Sequence, residues 1–280
     1  YAQRMNPAPN NFKNLSGLNV NTIHANDFKF YEELDDVIQR EPSEVFSPEL
    51  LGMASAIGIQ KGKSFNPSPE QRALLTDAVA IGNATARSIL FAPQDPKAYI
   101  YPGKAGYWQT GFPGGNHEYL VDGGNGGRDM DGRTLFFYLA TVNTPAMVME
   151  LPGVGSQYTF SSRDSSGAYL DGSKTYKVNI PANPPAQRFW SFVVYDPQTR
   201  SMLQSKEMPY PSKNNKRNPE MAKNADGSID LYFGPEAPAG KEANWVKTVP
   251  GKGWFGIFRL YGPGQEWFDR SWKLGAIEQL

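Results

Sequence analysis

The chain has two imidazoles, His24 and His117. Two cannot build a multi-histidine metal centre, and there is no cysteine to complete one, so no metal and no cofactor is expected. His24 lies three residues before Asp27, with Asn21 and Asn26 close by. A carboxylate at that spacing can orient an imidazole as a general base, which makes His24 and Asp27 the candidate catalytic pair. The same residues also spell a helix start, because Asn and Asp side chains accept from the unpaired N–H groups of a first turn. On spacing alone the capping reading is the better one. His117 follows Gly114-Gly115-Asn116 and is expected at the surface.

Other polar constellations are weaker. Asp129-Met130-Asp131-Gly132 has the start of a calcium loop but lacks its five or six oxygen ligands and its closing Glu, so helix capping is expected instead. The glycine-rich stretches at 103–115 and 123–127 lack the Lys-Ser ending of a phosphate loop. Ser161, Ser162, Ser165 and Ser166 surround Arg163-Asp164, but no Gly-x-Ser-x-Gly elbow is present. Asp196 and Arg200 flank one turn and could pair across it or point into a groove, the ion pair being the better reading. The aromatic residues form the second candidate set. Trp190, Tyr195, Tyr232, Trp245, Trp254 and Trp267 exceed what a core needs, and any left exposed can stack on a sugar ring or another cyclic ligand. Trp190, Tyr195, Trp245 and Trp254, with Arg200, are the candidate ligand-binding residues.

Composition bounds the rest. The chain has 280 residues, enough for one large domain or two smaller ones. Lys plus Arg and Asp plus Glu both number 28, which argues against nucleic acid and anionic membranes as partners. No apolar run approaches the roughly 20 residues of a membrane span. A chain that opens Tyr1-Ala2-Gln3-Arg4 is expected to be missing upstream sequence.

Helices must position the candidates in the first half. Residues 1–25 are rich in Asn and Pro but carry Phe12, Leu15, Leu18, Val20 and Ile23, so part of the segment is expected to pack as an arm or to belong upstream. A first helix places Phe30, Tyr31, Leu34, Val37 and Ile38 on one face and stops before Pro42. Ser47-Pro48-Glu49 starts a second helix, which Gly58 ends. Ser68-Pro69-Glu70-Gln71 reads as a capping box for a third that runs to about Leu90. Its Ala78, Gly82 and Ala86 imply close packing against a neighbour. Residues 98–127 read as short strands or an ordered loop. Asp131 is expected to cap a fourth helix from Leu135 to about Val142, broken by Pro145.

From Ser156 the apolar period switches to two. Tyr176, Val178 and Ile180 alternate with polar residues as in a half-exposed strand. Phe189–Tyr195 is apolar on both faces and reads as an internal strand, held from starting earlier by Pro181, Pro184 and Pro185. Residues 208–225 read as a surface loop, mobile or shielding a groove, followed by strands at 229–233 and 254–261. The fold class is α+β, a helical region (26–155) packed on an antiparallel, jelly-roll-like β-sandwich (156–280).

Several stretches carry a family resemblance: Asn21–Asp27, Ile57–Lys63, Phe189-Trp190-Ser191 with Val194-Tyr195-Asp196, Thr199–Leu203, Asn224–Ser228, Tyr232–Pro235 with Ala237–Glu242, and Arg259–Pro263. Together they resemble the uncharacterised proteins that pair domains of unknown function 1254 and 1214. The resemblance implies that residues 1–25 end a missing upstream β-sandwich and that the carboxy-terminal sandwich is the 1214 part. It also implies a bacterial protein of the periplasm or cell envelope, but brings no assigned reaction.

Two readings follow. The first is a non-catalytic envelope module that binds a glycan or a protein through an aromatic face. The second is a hydrolase or lyase using His24 and Asp27 at the boundary with the missing domain. The upstream domain and a second copy of the chain are the other expected partners, since an uncovered sheet edge invites pairing.

Overall fold

A computed structural model describes residues 12–18, 23–140 and 142–280. Residues 1–11 and 19–22, on which much of the expectation for the amino-terminal segment falls, lie outside the described residues. Within it, Phe12, Leu15 and Leu18 are exposed and not packed on the chain.

Among the described residues five α-helices precede the sheets: α1 (Lys29–Arg40), α2 (Pro48–Ala56), α3 (Pro69–Phe91), α4 (Met130–Leu139) and α5 (Pro145–Val148). Local chemistry sets their starts. Asp27 Oδ1 accepts from the Lys29 N–H at 2.9 Å. Ser47 and Ser68 accept from the Leu50 and Gln71 N–H groups, each with Pro at the next position. The capping box at Ser68 is only half made. The Gln71 amide turns away and donates to the Ile57 carbonyl at 2.9 Å, tying the start of α3 to the end of α2. α4 begins earlier than the sequence implied, because Asp129 rather than Asp131 caps it, accepting from the Gly132 N–H at 2.7 Å. Gly132 allows this approach: a Cβ there would lie 2.5 Å from the Asp129 carboxylate.

Tyr31, Ile38, Ala54, Ile59 and Leu75 join α1, α2 and α3 in one small cluster. The close packing expected of Ala78 and Gly82 is absent; both are exposed, and a Cβ on Gly82 would meet nothing within 4 Å. Among the described residues no helix is long and apolar enough to cross a membrane.

Residues 98–127 form an ordered loop of tight turns rather than strands. This loop serves the sandwich. Trp108 is fully buried and donates its indole N–H to the Gly275 carbonyl at 3.0 Å, and the Tyr101 hydroxyl accepts from the Leu274 N–H at 2.9 Å.

Eight strands follow: β1 (Ser156–Ser161), β2 (Tyr176–Ile180), β3 (Ala186–Tyr195), β4 (Ser212–Asn214), β5 (Ile229–Gly234), β6 (Trp245–Lys247), β7 (Phe255–Pro263) and β8 (Ile277–Gln279). A short helix, α6 (Gln265–Phe268), follows β7. They form two four-stranded sheets, ordered β1-β7-β3-β4 and β6-β5-β2-β8. Pairing is antiparallel except between β5 and β6, which run parallel. β3 is internal, as its two apolar faces imply, and begins directly after the prolines. Residues 208–225 are not a free loop: β4 pairs with β3 there, and Lys213, Asn214 and Met221 are buried.

The two sheets enclose one core. Trp190, Phe192, Val194, Phe258 and Leu260 face Tyr176, Val178, Ile180, Leu231 and Phe233 across it. Phe192 packs on Phe233 with ring centroids 4.8 Å apart. Fold class and sandwich therefore match the sequence reading.

Candidate functional site

The β1-β7-β3-β4 sheet turns its other face toward the helices. Antiparallel register sets a grid on that face, with Tyr195 opposite Phe255, Val193 opposite Ile257, and Tyr158 opposite Arg259. Leu90 and Phe91 at the end of α3 and Leu135 of α4 cover Phe255, Ile257 and Phe160. Gln109 fixes this cover: it pairs with Phe160 along the sheet edge and donates its side-chain amide to the Leu90 carbonyl at 2.9 Å. Cover is incomplete beside α4. A cavity of about 280 Å³ remains between the sheet and Phe112, Phe136, Leu139 and Met147.

Two arginines line this cavity, Arg259 and Arg200. Arg259 sits within β7 between apolar neighbours and donates to the Tyr195 hydroxyl. Its guanidinium also lies 5.6 Å from the Tyr158 ring centroid. Burial raises the Tyr195 phenol above its ordinary range, and the Arg259 charge partly opposes that. Arg200 closes the β3 hairpin turn in the left-handed conformation, at φ +58°. Its N–H donates to the Asp196 carbonyl, and the Asp196 N–H donates to the Ser201 carbonyl. A long side chain thus occupies a slot that normally favours glycine, a placement that costs of order 1 kcal/mol or more. Arg200 is only 9 % exposed, and its guanidinium donates to the Gln198 carbonyl and packs 4.2 Å from the centroid of the Tyr138 ring. Neither arginine forms an ion pair among the described residues, and the Nε of each is buried without a hydrogen-bond partner.

The expected Asp196–Arg200 pair is therefore not made. Asp196 instead accepts from Lys252 Nζ at 2.8 Å and from the Gln198 N–H. Burial acts to raise the Asp196 pKa, but the Lys252 and backbone hydrogen bonds together outweigh it and hold the carboxyl below its usual range.

On the opposite side, Arg200 meets His24. Their side-chain nitrogens lie 3.2 Å apart, which requires the His24 Nδ1 to be the acceptor. Burial lowers the His24 pKa, the Arg200 charge lowers it further, and Glu33 opposes both. His24 and Arg200 line a groove of about 930 Å³ between α1, α3 and α4. Asp27 is not among the residues lining it, and its carboxylate is taken by the Lys29 N–H. The structure thus places His24 at a cleft and Asp27 outside it, in the turn that leads into α1.

The aromatic candidates separate in the same way. Trp190 and Trp254 are 2 % and 1 % exposed and belong to the sandwich core, although Trp254 also lines a separate cavity of about 410 Å³ beside α3. The Trp245 indole is half-buried and donates to the Gly234 carbonyl at 3.0 Å. Tyr195 and Arg200 are the two ligand-binding candidates that line a cavity together. Arg259 and Tyr158 were missed. The signal was present, since Arg259 is the one charged residue in the otherwise apolar run Trp254–Tyr261. Among the described residues no group of three His, Cys, Asp or Glu side chains is placed to hold a metal.

Residues 155–265 match the model of a family described as Protein of unknown function (DUF1214). That match covers β1 through β7, which includes Tyr158, Tyr195, Arg200 and Arg259 but not His24 or α1 to α5. No curated protein matches the chain. Among solved structures, the VPA0106 protein from Vibrio parahaemolyticus is similar, at 19% identity and a TM-score of 0.43 over 98% of this chain. An uncharacterized protein from Burkholderia cenocepacia is similar at 16% identity and a TM-score of 0.35, over 77% of this chain. The matches span 58% and 44% of those two chains.

Proposed function

We propose that this protein is a non-catalytic binding module for a small organic anion, received in the cavity between the sheet and α4. The observation that carries this reading is the pair Arg259 and Arg200, which line one aromatic-walled cavity without a carboxylate partner among the described residues. A partly buried cation without a counter-charge is costly, and an incoming anion offsets that cost. Charge-assisted hydrogen bonds to a guanidinium supply both affinity and orientation. Tyr195 and Tyr158 add ring surface for an apolar or cyclic body. Within the expected glycan class this favours acidic sugars over neutral ones, because Trp190 and Trp254, which were to stack on a neutral ring, are in the core. The hydrolase or lyase reading has less support, since Asp27 does not line the groove that His24 lines.

From the family resemblance we carry into the proposal an upstream domain of the 1254 type and a place in the cell envelope; cell fractionation checks the second. The ligand reading is tested by calorimetry with benzoate and glucuronate against benzamide and glucose. At least one acid should bind, its neutral counterpart should not, and Arg259→Met should weaken binding about tenfold or more. Equal binding of acid and neutral compound, or no binding of any anion, overturns the proposal.

A further inference from the structure

Arg200 belongs to two cavities. α4 is the partition: Phe136 and Leu139 face the smaller cavity, while Arg133, Phe137 and Tyr138 face the groove. The groove is more than three times larger, and most of its wall is apolar: Phe30, Leu50, Val79, Ala86, Phe137 and Tyr138. Its floor is the small-residue face of α3, Ala78, Gly82 and Ala86, which spans about 12 Å at the rise of a helix. Phe30, Leu50 and Phe137 are each more than two-fifths exposed along it.

The charges in the groove are not balanced. Arg200 and Arg133 line it, against the single carboxylate of Glu33, and neither arginine forms an ion pair among the described residues. Arg200 offers its guanidinium beside His24, whose Nδ1 already accepts from it. An apolar trough with a partly buried cation at its wall has the polarity of an amphipathic anion.

We propose that the groove holds the tail of an amphipathic carboxylate whose head group sits on Arg200, so that the ligand class is a straight-chain organic acid rather than an acidic sugar. This rests on the reading that Arg200 receives an anion, and adds the groove as a tail site. The polar neighbours of the head would be His24, Asn26 and Asn83, each lining the groove. Glu33 disfavours a second negative charge and so favours a monoanion.

The test is calorimetric titration of the full chain with acetate, hexanoate and decanoate below their aggregation concentrations, with decylamine as the head-group control. Affinity should rise about three- to fourfold per added methylene until the trough is filled, and decylamine should not bind. Gly82→Leu places a side chain in the trough at an exposed helical position that a Cβ can occupy without contact. It should weaken decanoate at least tenfold while leaving benzoate unchanged. Affinity that is flat with chain length, decylamine binding as well as decanoate, or decanoate unmoved by Gly82→Leu each overturns the tail site. With benzoate still bound and still lost in Arg259→Met, those results leave the anion-binding reading standing. If no anion binds wild type, both fall.

Discussion

The two faces of the β1-β7-β3-β4 sheet are covered differently. One is sealed by a second sheet that brings aromatic and branched side chains into a continuous interior. The other is covered by helices and a loop, which meet it at Leu90, Phe91 and Leu135 and leave a cavity beside α4. The centre of the sealed face is apolar, with Trp190, Phe192, Val194, Phe258 and Leu260, and charge enters it at the edge strand β4, where Lys213 lies opposite Phe192 and pairs with Glu220. The helix-covered face carries Arg259 in the same strand that contributes Phe258 and Leu260 to the core. Sheet on sheet lets side chains interdigitate along whole strands. Helices touch a sheet along narrower stripes, and the gaps between stripes are where polar groups and ligands are tolerated.

If this contrast is right, damage to the sealed face should cost most. Trp190→Ala removes an indole that is 2 % exposed and should destabilise by about 3–5 kcal/mol in urea unfolding. An unchanged midpoint would mean that the core is not where the packing puts it. Overfilling the same interior should cost less, about 1–3 kcal/mol. Gly256→Ala is the probe, because a Cβ there would overlap the Phe192 ring. A neutral Gly256→Ala would show that the interior is looser than the ring contacts imply.

On the helix-covered side, stability and binding should separate. Arg200→Gly relaxes the left-handed turn but removes the Gln198 and His24 contacts. These effects oppose, so stability should change by no more than about 1 kcal/mol while anion binding is lost. A loss as large as that of Trp190→Ala would make Arg200 a structural residue and erase the contrast.

The smallest effect concerns pH. His24 is held neutral in the fold by burial and by the Arg200 charge, so its folded pKa lies below that of the unfolded chain. The unfolded state then takes up the proton first, and stability from this group, complete above the ordinary imidazole range, is lost as pH falls through the lower folded value. His24→Gln can still accept from Arg200 but does not titrate. Unfolding midpoints of wild type should therefore fall relative to His24→Gln between neutral and mildly acidic pH. Parallel pH curves would show that the His24–Arg200 contact carries no linkage.

Much of the fold was legible because it rests on near neighbours in sequence. The alternation at 176–180, the prolines ahead of β3 and the Ser-Pro starts of α2 and α3 are local signals, and each element formed where they stood. Errors came where two local partners competed. Asp129 and Asp131 both spell a cap, and Gly132 decided for Asp129 by letting its carboxylate approach. Asp196 was within reach of Arg200 across the turn, but Lys252 from the turn before β7 took the carboxylate.

The sequence by itself determined the α+β class, the internal strand and the absence of a self-sufficient thiol or multi-histidine centre, because composition and periodicity are read along the chain. Tertiary structure alone decided which aromatic residues are core and which line a cavity. Trp190 and Tyr195 belong to one strand and look equally suited to stacking, yet five residues apart on a pleated strand they point to opposite faces, and only one face is sealed. It also brought Arg200 to His24 across 176 residues and to the same cavity as Arg259. Distances of that kind are set by how sheets and helices pack, and no spacing along the chain encodes them.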